Sequence, residues 1–157
     1  MPAPTALRPT AFHPFARQNI PWFLKSRSEV FGDRVFIAWE PFSGEPKTYT
    51  YAEVADNAAK VAKGLYELGV RQYDYVVVHM NNCPEFIFSW FALSELGAIA
   101  VTTNTRSSVD EMQYFIEHCG AKCAVTQPGF CDLITEAAPD LSWVVSTETN
   151  SGDVAAM

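Results

Sequence analysis

The short motifs that announce a catalytic centre are missing from this sequence. It has no Gly-x-Gly-x-x-Gly after a strand, no Gly-x4-Gly-Lys-Ser/Thr, no Gly-x-Ser-x-Gly and no His-Glu-x-x-His. Their absence removes the usual local signatures of dinucleotide, nucleoside-triphosphate, serine-hydrolase and zinc-protease chemistry. Positive charge is also scarce, with 11 Lys and Arg against 18 Asp and Glu and a net charge of −7. A chain this acidic has no electrostatic footprint for nucleic acid or an anionic membrane. No apolar run approaches the ~20 residues that span a bilayer; near the start, Ile20 to Leu24 is interrupted by Pro21. Pro2, Pro4, Pro9 and Pro14 break up the first residues, which lack the hydrophobic core of a secretory signal. A cytoplasmic location is expected.

Cysteine is sparse as well: Cys83, Cys119, Cys123 and Cys131. Cys119-x3-Cys123 with His118 beside it is not the Cys-x2-Cys spacing of zinc sites, and no second pair follows. Reduced, buried thiols are expected, and no metal.

What is present is apolar. Hydrophobic residues make up 48% and aromatics 13% of the 157 residues, enough to exclude disorder and to fill one core of ordinary size. Residues 1 to 18 read as a Pro-rich, loose lead-in and 148 to 157 as a linker or tail, leaving an α/β unit over 19 to 147. A helix is expected from about Trp22 to Phe31, stopped by Gly32. Arg34 to Trp39 and Lys47 to Tyr51 read as a lead-in hairpin, with a turn at Pro41, Gly44 and Pro46.

From Thr50 a rhythm repeats three times: polar cap, amphipathic helix, glycine stop, strand. The caps are Thr50-x-x-Glu53, Asn82-x-x-Glu85 and Ser108-x-x-Glu111, the first and third with the spacing of a capping box. Pro84, in the first turn of the second helix, needs no amide partner there. The helices run over about Tyr51–Leu68, Cys83–Leu96 and Val109–Cys119, and Gly69, Gly97 and Gly120 stop them. The second is apolar nearly all round through Phe86, Ile87, Phe88, Trp90, Phe91, Leu93 and Leu96, so burial on more than one side is expected, and self-association of the chain with it. Tyr75–Met80 is nearly continuous apolar, the mark of a strand covered on both faces. Ile99–Val101, Lys122–Thr126 and Trp143–Ser146 are its shorter partners. The alternation predicts an α/β fold, a helix-covered and mostly parallel sheet with the hairpin at one edge.

Candidate chemistry is thin. Thr102 to Ser108 lies between a strand's carboxyl end and a helix start, where open α/β sheets bind ligands. Its hydroxyls, Arg106 and free helix amides could hold a phosphate; equally, Ser108 could simply cap its helix. His79 ends an apolar strand without a partner motif and reads as a hydrogen-bonded, partly buried histidine. Asp110, Glu111 and Glu117 read as solvated helix-face charges. Glu53 and Glu85 invite comparison with a carboxylate pair, but capping accounts for both. No catalytic, cofactor-binding or metal-binding residue is assigned on this basis.

Three segments carry a resemblance to a known family. Thr48 to Val54 resembles the Thr-Tyr-x-Glu-Leu opening of AMP-forming acyl- and aryl-CoA synthetases, in the adenylate-forming superfamily. Asn82-Cys83-Pro84-Glu85-Phe86 resembles the Asn-x-x-Glu-Phe/Trp segment, and Leu96 to Asn104 the Gly-Ala-x-x-Val-Pro-x-Asn segment. Ser108 to Phe115 resembles the helix that follows. Order and spacing agree from about Val30 to Val145. Asn81 to Phe91 looks most like the crotonobetaine/carnitine-CoA ligase branch, although fatty-acyl ligases share much of it. Thr102-Thr103 departs from the family where a proline is usual, and without its fixed φ the loop is less rigid.

The resemblance implies the N-terminal subdomain of an AMP-binding domain, in a parent that uses ATP, CoA and magnesium. A carboxylate and ATP would give an acyl-adenylate, and the CoA thiol would then displace AMP. The family's phosphate loop, later ATP-binding motifs and C-terminal lysine have no counterpart among these residues. The resemblance therefore implies no catalytic residue here, and an inactive fragment whose partners are a small carboxylic acid and the remainder of the synthetase large domain. Two other readings are open: a stand-alone nucleotide- or CoA-binding α/β module, and a purely structural or interaction piece.

Overall fold

The computed structural model describes residues 18–41 and 44–148. The expected lead-in and tail lie almost wholly outside the described residues, as do Phe42 and Ser43 of the hairpin turn.

Helix α1 (Ile20–Phe31) starts two residues earlier than its apolar pattern suggests. Asn19 caps it, its Oδ1 accepting from the Trp22 amide at 2.9 Å, and Pro21 sits in the first turn. Strands β1 (Val35–Trp39) and β2 (Lys47–Thr50) form the hairpin. It is a separate two-stranded antiparallel sheet, not an edge of the main sheet. The reason lies in its apolar side chains: Phe36, Ile37 and Tyr49 pack with Leu24, Val54, Ala58, Phe88 and Phe91 against the helices.

Helix α2 (Tyr51–Glu67) begins at the Thr50 capping box, with Thr50 Oγ1 accepting from the Glu53 amide at 3.2 Å and Glu53 Oε2 from the Thr50 amide at 2.8 Å. Strand β3 (Tyr75–His79) follows, then α3 (Pro84–Leu96), β4 (Ile99–Thr102) and α4 (Val109–Cys119). Ser108 and Glu111 close the second capping box, at 3.3 and 2.9 Å. The expected cap at Asn82 does not form. Cys83 is the cap residue, extended at φ −148°, ψ 163°, with no side-chain bond to the helix. Pro84 decides this: its ring drives the preceding residue out of the helical region, so the helix must start at Pro84 itself.

All three helices end alike. The amides of Val70, Ala98 and Ala121 reach back to the carbonyls of Leu65, Leu93 and Ile116, at 3.0, 2.9 and 3.1 Å. This six-to-one bond needs a left-handed residue before it. At Gly97 (φ 68°) the choice is doubly fixed, because a Cβ would also meet Gln72 Cγ at 3.0 Å.

Beyond β5 (Cys123–Thr126) lies a stretch with no helix expected: a 3-10 turn at Pro128–Phe130, then α5 (Cys131–Ala137) and β6 (Trp143–Ser146). The main sheet has the order β4-β3-β5-β6, all parallel. Strand alternation divides its faces. Val76, Val78, Cys123 and Val125 pack with Ala62 and Leu65 of α2 and Ala92 and Leu93 of α3. Val77, Ala124 and Val144 pack with Met112 and Ile116 of α4 and Ile134 of α5. Helix α3 is buried on more than one side, as its all-round apolar surface predicts: besides the sheet, α1, α2 and the hairpin bury Phe88 and Phe91 to 7% exposure each.

Candidate functional site

Order β4-β3-β5-β6 reverses direction at β3, which puts the topological switch at the carboxyl ends of β3 and β5. That is where open α/β sheets place ligands. Residues His79, Met80 and Asn81 leave β3 there, and Thr126 and Gln127 leave β5.

Several polar groups at this crevice pair with one another. Thr126 donates its hydroxyl to the His79 carbonyl at 2.7 Å, and the Asn81 amide donates to Gln127 Oε1 at 2.8 Å. His79 Nδ1 lies 2.7 Å from Thr103 Oγ1. His79 is fully buried, with Phe130 edge-on to its ring at 4.7 Å, and its Nε2 has no hydrogen-bond partner. Burial pushes its pKa below the ordinary value, because desolvation penalises the charged imidazole. It is a fixed, neutral histidine of the scaffold rather than a poised base.

Beside the crevice opens a cavity of about 750 Å³, lined by Trp39 and Glu40 of the hairpin, Met80 to Asn82, Phe86 and Thr102 to Arg106. The Thr102–Ser108 loop is spent on its own geometry. Asn104 Oδ1 accepts from the Arg106 amide at 2.9 Å, the Asn104 carbonyl from the Ser107 amide at 2.9 Å, and Ser108 caps α4. These internal partners occupy the Arg106, Ser107 and Glu111 amides, and Arg106 is the one basic residue among the described lining. Asp110 and Glu117 are exposed; Glu111 is exposed and serves the cap.

Glu53 and Glu85 approach a common neighbour. The Tyr49 hydroxyl is raised first by burial and then by the charges of Glu85 and Glu53. Glu53 is held in its capping box, while Glu85 Oε2 is buried without a partner. The cysteines stand apart. Cys123 is buried in β5, where burial pushes its pKa up to about 11, and burial pushes Cys83 up to about 12. Cys119 Sγ donates to the Ile116 carbonyl at 3.6 Å. Among the described residues no group of three His, Cys, Asp or Glu could hold a metal ion, and no helix is long and apolar enough to cross a membrane.

Trp39, Glu40, Gln127 and Phe130 come to this region without notice from the sequence. Trp39 and Glu40 could be placed only by knowing how the hairpin folds back; Pro128 was the signal that a turn follows β5. Of the three family-like segments, two meet at the cavity, through Asn82 and Phe86 and through Thr102, Thr103 and Asn104. The third, Thr48 to Val54, builds the junction of β2 and α2.

A doubly wound parallel sheet with a separate hairpin, carrying those segments in order, defines the N-terminal part of an adenylate-forming enzyme. The chain belongs to the AMP-binding enzyme family, whose model matches residues 24–155. It is 31% identical over 117 residues to the crotonobetaine/carnitine–CoA ligase of Proteus mirabilis, covering 74% of this chain and 23% of that protein. With the enzyme of the same name from Salmonella paratyphi B it shares 32% over 125 residues, covering 80% and 24%. The chain thus spans about a quarter of the length of these curated relatives. Among solved structures, the N-terminal domain of FACL13 from Mycobacterium tuberculosis superposes with a TM-score of 0.75 at 25% identity, over 83% of this chain and 34% of that one. An anthranilate CoA ligase in complex with anthranoyl-AMP gives 0.72 at 26%, over 85% and 26%.

Proposed function

We propose that this chain forms the front of an ATP-dependent, AMP-forming acyl-CoA ligase, in which it serves as scaffold and not as the catalytic centre. The observation that carries the ligase reading is the 31–32% identity to two enzymes named for CoA ligation. It is supported by the family-like segments lying in order on the expected elements.

In such an enzyme a carboxylate attacks the α-phosphate of ATP, pyrophosphate leaves, and the CoA thiol then displaces AMP from the acyl-adenylate. Magnesium would neutralise the phosphate charge in both the ground and transition states. The described residues do not fit these groups: the starts of α2 and α4 are capped by their own side chains, Arg106 is the one basic residue among the described lining of the cavity, and no carboxylate cluster is available for a metal. No step of the chemistry is therefore routed through residues of this chain. Its part is mechanical, presenting a sheet and hairpin against which the rest of a large domain assembles. Four free thiols support a reducing, cytoplasmic setting. Ile20, Trp22 and Phe23, 40 to 48% exposed on α1, support self-association of the isolated chain.

Carnitine-type acids are the proposed substrates, on the names of the relatives. The test is AMP formation by the full-length ligase carrying this sequence, given CoA and crotonobetaine, carnitine, straight-chain fatty acids or aryl acids in competition. CoA- and acid-dependent AMP is expected, fastest with the betaines. Preference for aryl acids would reject the branch, and no AMP from any carboxylate would reject the ligase reading.

A further inference from the structure

Helix α1 carries apolar residues on two sides, and the rest of the domain covers one of them. Leu24 is buried among Val54, Ala58, Phe88 and Phe91. On the far side Trp22, Phe23 and Val30 are 40, 48 and 64% exposed. With Ser26 and Glu29 they follow the spacing i, i+1, i+4, i+7, i+8, which at about 3.6 residues per turn gathers all five on one outward stripe. Ser26 stands at the middle. It is small, and its hydroxyl donates to the Phe23 carbonyl of its own helix at 3.0 Å. A second helix can therefore cross there closely without orphaning a donor. Lys25 and Glu29 are both exposed and lie toward the same side of the stripe. One turn apart, they have the spacing of an ion pair, in the less favourable order, and they do not form one. Lys25 also lines a groove with Asp56 and Glu95, again without an ion pair; among the described residues the only one joins Lys63 and Glu67.

We propose that this stripe is the contact face of a homodimer, in which α1 packs antiparallel on α1 of a second copy and crosses it at Ser26. A two-fold axis at Ser26 sets residues equally far before and after it opposite each other. Trp22 then meets Val30 of the partner, and Phe23 lies along the same flank as that valine. Lys25 and Glu29 share the other flank, so each ammonium comes beside the glutamate of the partner, twice by symmetry. Charge selects this orientation. In a parallel pair the Lys25 and Glu29 flank would face the Phe23 and Val30 flank, leaving both charges against apolar groups. Charge also selects the occupant. The net charge of −7 opposes association at long range, and a second copy brings the one plus and one minus that match this face. A single face of a 12-residue helix lies at the small end of stable interfaces, which bury about 800 Å² on each partner, so the dimer is weak and concentration-dependent. This geometry rests on the self-association read above from Ile20, Trp22 and Phe23, and is independent of the ligase reading.

Sedimentation equilibrium tests the association, and charge exchange tests the geometry. The mean mass of the 157-residue chain is expected to climb from the 17.4 kDa of one copy toward twice that between ~5 and ~500 μM, the range of a weak interface. Lys25→Glu and Glu29→Lys each put like charges at both contacts. Each is expected to weaken association at least about ten-fold at low salt. Mixed one to one, the two variants set opposite charges together again, and association is expected to return to within about three-fold of the unaltered chain. Both side chains are exposed, so the fold tolerates the exchange. Phe23→Gln is expected to leave a monomer, while Tyr114→Gln, at an aromatic ring 59% exposed on α4, leaves association unchanged. A chain still monomeric at ~500 μM overturns the proposal and the self-association together. Association that ignores both charge reversals, or that the mixture fails to restore, overturns the α1 pairing and assigns self-association to another face. Growth beyond two copies overturns it as well, since a two-fold contact closes on itself.

Discussion

Two side chains of this domain are held in states that their residue types resist. His79 is neutral and fully enclosed, and its folded-state pKa lies below the ordinary 6.5 because burial penalises the charged ring. The unfolded chain therefore takes up the proton near pH 6.5 while the folded chain does not. Stability contributed by neutral His79 is present above that pH and is lost as the pH falls below it, down to the depressed folded pKa, at a rate approaching about 1.4 kcal/mol per pH unit. Urea unfolding at pH 7 and pH 5.5 should show this loss, and His79→Gln should flatten it. An unchanged slope in the variant would mean that another group carries the acid sensitivity. Tyr73 is the other case, with a φ of 69° and a side chain 73% exposed. A left-handed tyrosine costs about 1–2 kcal/mol, and little packing offsets it. Tyr73→Gly should raise the unfolding free energy by roughly 0.5–1 kcal/mol once the extra unfolded-state freedom of glycine is deducted; a loss would show that the ring has a hidden structural contact.

At the scale of the elements, the caps distinguish local from non-local control. Ser108 and Thr50 bond the amides of Glu111 and Glu53, so replacing either with alanine should cost about 0.5–2 kcal/mol in chemical denaturation. Asn82 occupies the same place in the pattern but makes no cap bond, and Asn82→Ala should change stability by less than about 0.5 kcal/mol. An equal cost at all three positions would contradict the Pro84 explanation. This also shows what the sequence could disclose. Capping boxes, glycine stops and a run such as Tyr75 to His79 act over a turn or a strand, so they were legible. The start of α3 was misread because Pro84 restricts the residue before it and outweighs a cap two residues away. Helix α5 escaped notice because seven residues give too few turns for a periodic stripe. The hairpin was read correctly but placed wrongly, since its docking on Leu24, Phe88 and Phe91 is a tertiary choice. The cavity residues Trp39 and Glu40 depend on that same choice.

For the molecule as a whole, the question is what a scaffold can do by itself. Adenylation requires fixed positive charge or aligned amides at the phosphates, and each such donor is worth about 10²–10³ in rate. The described residues offer Arg106 at the rim of an open cavity, α2 and α4 starts already capped by their own side chains, and no metal cluster. The purified 157-residue chain should therefore show pyrophosphate exchange no faster than a blank, with any carboxylate. It should also gain little from ATP: a ligand at ~1 mM with a dissociation constant of ~1 mM or weaker stabilises by no more than about 0.4 kcal/mol. Thermal melts with and without ATP, and with and without CoA, measure this directly. Stabilisation above about 1 kcal/mol at ~1 mM would place the dissociation constant near 0.2 mM or below, and would favour a stand-alone nucleotide- or CoA-binding module over a scaffold. Exchange that depends on both ATP and a carboxylate would go further, because it would require phosphate-stabilising groups in a chain whose described residues supply almost none.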